Sequence, residues 1–126
     1  MIDHVSIPVN SLAVAGEFFE AVLAPLGYAR LVDEPSRIGF GKRYPELWLN
    51  ERPGLKPLDP RDGHHVCLRA GSAAEVDRFH TIALARGGVD EGAPGLRRYS
   101  KAEVYAAFIR DPDGNRLEAM TIVSGL

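Results

Sequence analysis

Two histidines and two glutamates in this 126-residue chain have the types and spacing to hold a metal ion. His4 and His65 each head an alternating run. Val5, Ile7 and Val9 fall on one face, with His4, Ser6 and Pro8 on the other; Val66, Leu68 and Ala70 likewise oppose His65, Cys67 and Arg69. Successive side chains of a strand point to opposite faces, so each apolar row turns to a core and each histidine turns away from it. A later run in each half adds a carboxylate on the histidine side. Leu117 and Ala119 leave Glu118 and Met120 there, and Leu47 and Leu49 leave Glu46 and Trp48. Imidazole nitrogen with carboxylate oxygen suits Zn, Ni, Mn or Fe(II). A lone strand histidine is usually structural, and a lone inward glutamate usually has an arginine partner. Two histidines at matching places, each followed by a strand glutamate, form a stronger pattern.

The matching places come from a repeat. Sliding the sequence by 61 positions superposes His4-Val5 on His65-Val66, and gives eight identities over positions 4–27 without a gap. Each copy reads as a strand, then a helix, then three short strands. Ser11 is a candidate N-cap for a helix with Val14, Phe18, Ala21, Val22 and Pro25 at helical spacing, closed by Gly27. Ser72 does the same for Val76, Phe79, Ala83 and Leu84, closed by Gly87-Gly88. Further strands are expected at 28–33, 37–41 and 46–50, then near Val89 and at 104–110 and 116–122. Asp111-Pro-Asp-Gly-Asn115 is a strong hairpin turn between the last two. Residues 52–63, with Pro53, Pro57 and Pro60, read as a linker, and 92–101 as a loop that would make a lid. The fold class is therefore α+β: one domain of two βαβββ modules, at 1–51 and 64–126, with helices on one side of each sheet.

Composition closes off other classes. Fifteen Lys plus Arg against 17 Asp plus Glu leave a net charge of −2, with no electrostatic footprint for nucleic acid or an anionic membrane. No apolar run approaches the ~18 residues of a membrane span. The first residues carry neither the basic flank nor the apolar run of a secretory signal. The single Cys67 rules out an internal disulfide framework and suits a reducing cytoplasm, the expected location.

Four segments, Asp3-His4-Val5-Ser6, Phe18-Phe19-Glu20-Ala21-Val22-Leu23, Gly63-His64-His65-Val66 and Arg110-Asp-Pro-Asp-Gly-Asn-Arg-Leu-Glu118, span most of the chain. They resemble the vicinal oxygen chelate superfamily, which groups glyoxalases, bleomycin-resistance proteins and ring-cleaving dioxygenases. The resemblance implies paired, curved mixed sheets and metal ligands at His4, His65 and Glu118. It puts the fourth ligand of glyoxalase I near Glu46, a position that Trp48, of the same strand parity, could take instead. It also implies a metal-dependent small-molecule enzyme with isomerase or lyase chemistry. There the divalent metal polarises a carbonyl and stabilises an enediolate or oxyanion, with Glu118 or Glu46 moving the proton. Two alternatives are a non-catalytic protein that sequesters an antibiotic or other ligand, and an Fe(II)-dependent dioxygenase. Single-domain relatives usually complete the cavity as homodimers, so a homodimer is expected.

Substrate selection would fall to Trp48, Phe40, Arg43, Tyr99 and Tyr105, with Arg37 and Lys101 nearby. His64 lies on the strand face opposite His65 and reads as structural or exposed. His80, beside Phe79, reads as a surface or boundary residue, and Cys67 as a small hydrophobe on the histidine face. Asp111, Asp113 and Asn115 start like a calcium loop, but Arg116 stands where such a loop needs glycine.

Overall fold

Ser11 and Ser72 begin the two helices as expected, their hydroxyls accepting from the backbone N–H of Val14 and Glu75. Each satisfies one of the donors that a helix start leaves unpaired. The computed structural model, which describes residues 1–125, places helix α1 at Leu12–Leu23 and α2 at Ala73–Ala85. A 3-10 turn, Ala24–Leu26, extends α1 to Gly27, whose φ of 85° lies where only glycine is at ease. The strands are β1 Val5–Val9, β2 Ala29–Glu34, β3 Arg37–Gly41 and β4 Pro45–Glu51, then β5 Val66–Arg69, β6 Val89–Tyr99, β7 Ala102–Arg110 and β8 Arg116–Gly125. They form two four-stranded sheets ordered β1-β4-β3-β2 and β5-β8-β7-β6. In each the first strand runs parallel to the last and the others pair antiparallel. This is βαβββ twice.

One hydrophobic core serves both modules. Phe18, Phe19 and Val22 of α1 and Val76 and Phe79 of α2 join Leu47, Leu49, Ile109 and Leu117 of the sheets in a single cluster, and the two helices touch. Each buried aromatic or leucine side chain contributes roughly 1.5–3 kcal/mol by leaving water. Two assignments from spacing change. Val14 and Leu84 face solvent, and the buried stripe of α1 runs through Leu12, Ala15, Phe18, Phe19 and Val22. The helices bury only the side that meets their own sheet and each other, which leaves Val14 outside.

The segment 92–101 is not a lid loop. β6 continues to Tyr99, paired with β7 as far as Ala102, with register breaks around Gly92 and Gly95. Bulges at the two glycines absorb Gly92-Ala-Pro-Gly95 while the ladder resumes beyond them.

The 111–115 turn fastens the halves together. Asp111 accepts from the backbone N–H groups of Asp113 and Asn115 and from Asn115 Nδ2. That same Nδ2 donates to the Pro8 carbonyl of β1 at 2.9 Å, and Asp113 accepts from the backbone of Asn10 and Leu58. Burial pushes the Asp111 carboxyl from 3.8 up to about 6, against the hydrogen bonds that favour its charge. A carboxyl raised on folding binds more protons folded than unfolded between those two values, so stability falls as pH rises through that window, the cost being absent below it and complete above it. We expect the stability of wild type relative to Asp111→Asn to fall by roughly 3 kcal/mol between pH 4 and 7. Urea unfolding at each pH checks this, and a flat difference would refute it.

Candidate metal centre

Strand pairing brings two of the candidate ligands together. Glu118 lies opposite Cys67 of β5 and Phe108 of β7, and His65 immediately precedes β5. His65 Nε2 stands 3.2 Å from Glu118 Oε1. Glu118 is only 6% exposed, and a buried carboxylate costs several kcal/mol unless a cation or donor meets it. His65 is that partner, its side chain still 42% exposed on the open face. Cys67 stands opposite Glu118 in the strand register. Its thiol is pushed up to about 12 by desolvation in the pocket wall and then by the Glu118 charge, so it stays protonated near neutrality.

His4 belongs to the other half. Its Nδ1 is 2.7 Å from Asp3 Oδ2 and its side chain is half exposed. A cavity of about 240 Å³ lies where β1 and β4 meet β5, lined among others by Asp3, His4, Tyr28, Glu46 and Cys67. Burial, with help from Glu46, raises the Tyr28 hydroxyl above its ordinary range. Cys67 is thus common to both halves, lining the cavity with His4 and Glu46 and standing opposite Glu118 in the sheet. Among the described residues no three His, Cys, Asp or Glu side chains gather closely enough to enclose an ion. A single chain therefore presents the ligands as two pairs of neighbours, His4 with Asp3 and His65 with Glu118.

The register distinguishes Glu46 from Trp48. Val5 pairs with Leu47, and Val66 with Leu117. Trp48, opposite Ser6, therefore corresponds to Glu118, opposite Cys67; Glu46 corresponds to Arg116. The carboxylate of the second module has an indole as its counterpart in the first. The Trp48 ring occupies the space where a side chain on Gly39 would lie, and the Arg37 guanidinium stacks 4.5 Å from its centre. Arg37 is itself held by Glu34 at 2.6 Å. Glu46 lies two residues before Trp48 and receives only the Lys42 backbone N–H, at 3.5 Å.

Other sequence candidates fall away from the site. Phe40 is fully buried in the core against Phe19, because its register opposite Leu47 turns it to the helix side. Tyr105 also faces a helix, donating to Asp77 of α2 at 2.6 Å. Arg43 sits in an exposed bend between β3 and β4. Tyr99 lines a separate cavity of about 310 Å³ with Arg98, Lys101 and Glu103 at the β6–β7 tip, about 20 Å of strand from Phe108. His64 is exposed. His80 is 8% exposed and bonds Asp90 at 2.9 Å, so it is a buried tie between α2 and β6. Spacing alone missed Phe108, which packs against His65 at 6.3 Å between ring centres, and Arg97, which lies over Phe108. Extending the strand through 92–99 would have placed Arg97 beside β7.

Two nitrogen donors and one buried oxygen donor have the chemistry a divalent transition metal takes, and of the three only His4 lines the cavity, which Cys67 reaches from the strand next to Glu118. Comparison with known proteins bears on the same fold. The profile of the Glyoxalase/Bleomycin resistance protein/Dioxygenase superfamily matches residues 1–119. A solved glyoxalase/bleomycin resistance protein from Albidiferax ferrireducens T118 is 31% identical, with a TM-score of 0.84, over 94% of this chain and 97% of that one. The metallothiol transferase FosB of Shouchella clausii (strain KSM-K16) is 27% identical over 95% of this chain and 79% of its own length. The genomically encoded fosfomycin resistance protein FosX from Listeria monocytogenes shares the fold with a TM-score of 0.67 at 16% identity, over 96% of this chain and 92% of that one. No described helix is long and apolar enough to cross a membrane. With nearly its whole length matched and both βαβββ modules in place, this chain belongs to the glyoxalase/bleomycin resistance protein/dioxygenase superfamily.

Proposed function

We propose that the protein is a metal-dependent enzyme acting on a small molecule, with His4, His65 and Glu118 as the protein ligands. The observation that carries this reading is the buried Glu118 carboxylate held 3.2 Å from His65, with Cys67, its partner across the sheet, lining the cavity that His4 also lines. A bound divalent ion would supply Lewis acidity toward substrate oxygens and stabilise negative charge as it develops there. His65 holds the Glu118 carboxylate in place. Trp48, as the counterpart of Glu118, leaves a three-ligand set and hence coordination positions for a substrate. The missing fourth carboxylate argues against a glyoxalase I site. The relative that is a metallothiol transferase favours transfer of a group to an electrophile over isomerisation.

The protein acts, in this reading, as a homodimer in which His4 of one chain meets His65 and Glu118 of the other. Separation of the two ligand pairs within one chain supports it. A non-catalytic sequestering protein would not need the three donors.

Protein prepared without chelator or affinity tag should contain, or take up on titration, about one equivalent of Mn, Zn, Ni or Fe per chain. Elemental analysis and calorimetry measure it. Content below about a tenth of an equivalent, with no uptake, would overturn the enzyme reading in favour of the sequestering one.

A further inference from the structure

The second sheet carries a cation that no carboxylate among the described residues neutralises. Arg97 lies on β6 with its Cζ 5.8 Å from the centre of the Phe108 ring. Its guanidinium donates only to backbone carbonyls, to Ala93 at 2.8 Å and Leu96 at 3.4 Å. Both acceptors belong to its own bulged segment, which curls around the group. Side chains on Gly92 or Gly95 would fill that space: a Cβ on Gly92 would lie 3.4 Å from one terminal nitrogen of Arg97, and one on Gly95 would lie 3.1 Å from the other. The two glycine bulges therefore hold a flat guanidinium against an aromatic face. Such a fork is ordered in advance and keeps donor capacity for another oxyanion.

The surrounding charges leave this capacity free. Glu91 is taken by Arg110, and Glu103 by Arg98. Glu118, one strand further, is engaged by His65. Arg110 and Arg116 face each other across β7 and β8 on the same side, and Arg116 Nε is buried with no partner among the described residues. Among the described residues this stretch of the second sheet thus has more cations than free carboxylates, although the whole chain carries a net charge of −2.

We propose that Arg97 is a specificity-determining residue that binds a compact oxyanion, a carboxylate or phosphonate, on the substrate. The proposal rests on the reading of the site as a metal centre. Phe108 lies between Arg97 and the His65–Glu118 pair, so a substrate that reaches the metal with one oxygen-bearing end extends its anionic end over this ring to Arg97. The substrate class is accordingly a small acid that carries its anion at one end and metal-binding oxygens at the other.

Three hydroxamates test this on Mn(II)-loaded protein: acetohydroxamate, which is neutral beyond its chelating group, and its phosphonate- and carboxylate-bearing analogues, phosphonoacetohydroxamate and malonomonohydroxamate. Wild type should bind at least one anionic probe about tenfold or more tighter than acetohydroxamate. Arg97→Gln should lose that preference while binding acetohydroxamate and Mn(II) as wild type does, and Arg97→Lys should keep part of it. Which analogue gains more decides between phosphonate and carboxylate. A preference undiminished in Arg97→Gln, or no preference in wild type, would overturn the proposal. Failure of every hydroxamate to bind would count against the metal centre instead. Arg97 is then read on metal-free protein, where methylphosphonate should shift the Arg97 Nε–Hε resonance saturably in wild type, and no shift would overturn the proposal.

Discussion

His65→Ala is expected to bind Mn(II) or Zn(II) weaker by roughly two to three orders of magnitude while keeping a cooperative unfolding transition. The imidazole is 42% exposed, packs against Phe108 outside the core cluster, and leaves behind a Glu118 carboxylate without its partner. Its loss should therefore cost metal far more than fold. Glu118→Gln should lose metal to a similar degree, since an amide oxygen is a poor substitute for a charged ligand. Glu46→Gln should stay within about threefold of wild type, because its strand position matches Arg116 and the counterpart of Glu118 is Trp48. Calorimetric titration of the three variants checks the set. Unchanged metal affinity in His65→Ala would remove the centre altogether. A loss in Glu46→Gln equal to that in Glu118→Gln would restore the four-ligand arrangement.

That distinction shows which parts of the molecule are written locally in the sequence. The alternating rows at Val5–Val9 and Val66–Leu68, the serine caps and the 61-residue repeat are short-range signals, and the two modules follow them. Parity of a strand is also local, so the outward direction of Glu118 and Trp48 was legible. Register is not, because it depends on which residue of β1 settles opposite which residue of β4. Only the pairing of Val5 with Leu47 separates Glu46 from Trp48. Phe40 and Tyr105 show the same limit, as aromatic type suggested a pocket while strand face sent one to the core and the other to Asp77. The β6 bulges hid Arg97 for a different reason. Gly-Ala-Pro-Gly carries strong turn chemistry, and only pairing to β7 overrides it.

Mixing two inactive variants should regenerate metal sites if, as proposed, each site is shared between chains. His4→Ala and His65→Ala homodimers each lack one ligand in both sites. Refolded together in equal amounts, half of the dimers carry one chain of each kind. In such a dimer one site has lost both histidines, and the other has His4 from the His65→Ala chain and His65 from the His4→Ala chain. That second site is complete, so about a quarter of all sites should recover wild-type metal affinity. The turn 111–115 makes the mixture a fair test. It ties each chain's β1 to its own second module through Asn115 and Asp113, so the two modules of a chain stay together and only the pairing of whole chains can build the complete site. Equilibrium metal titration of the co-refolded sample, against the two variants refolded separately and then combined, reads the result. Equal and negligible binding in both samples would place each centre within one chain. A monomer mass by light scattering at micromolar concentration would sink the shared site directly, because His4 would then have no second chain to meet.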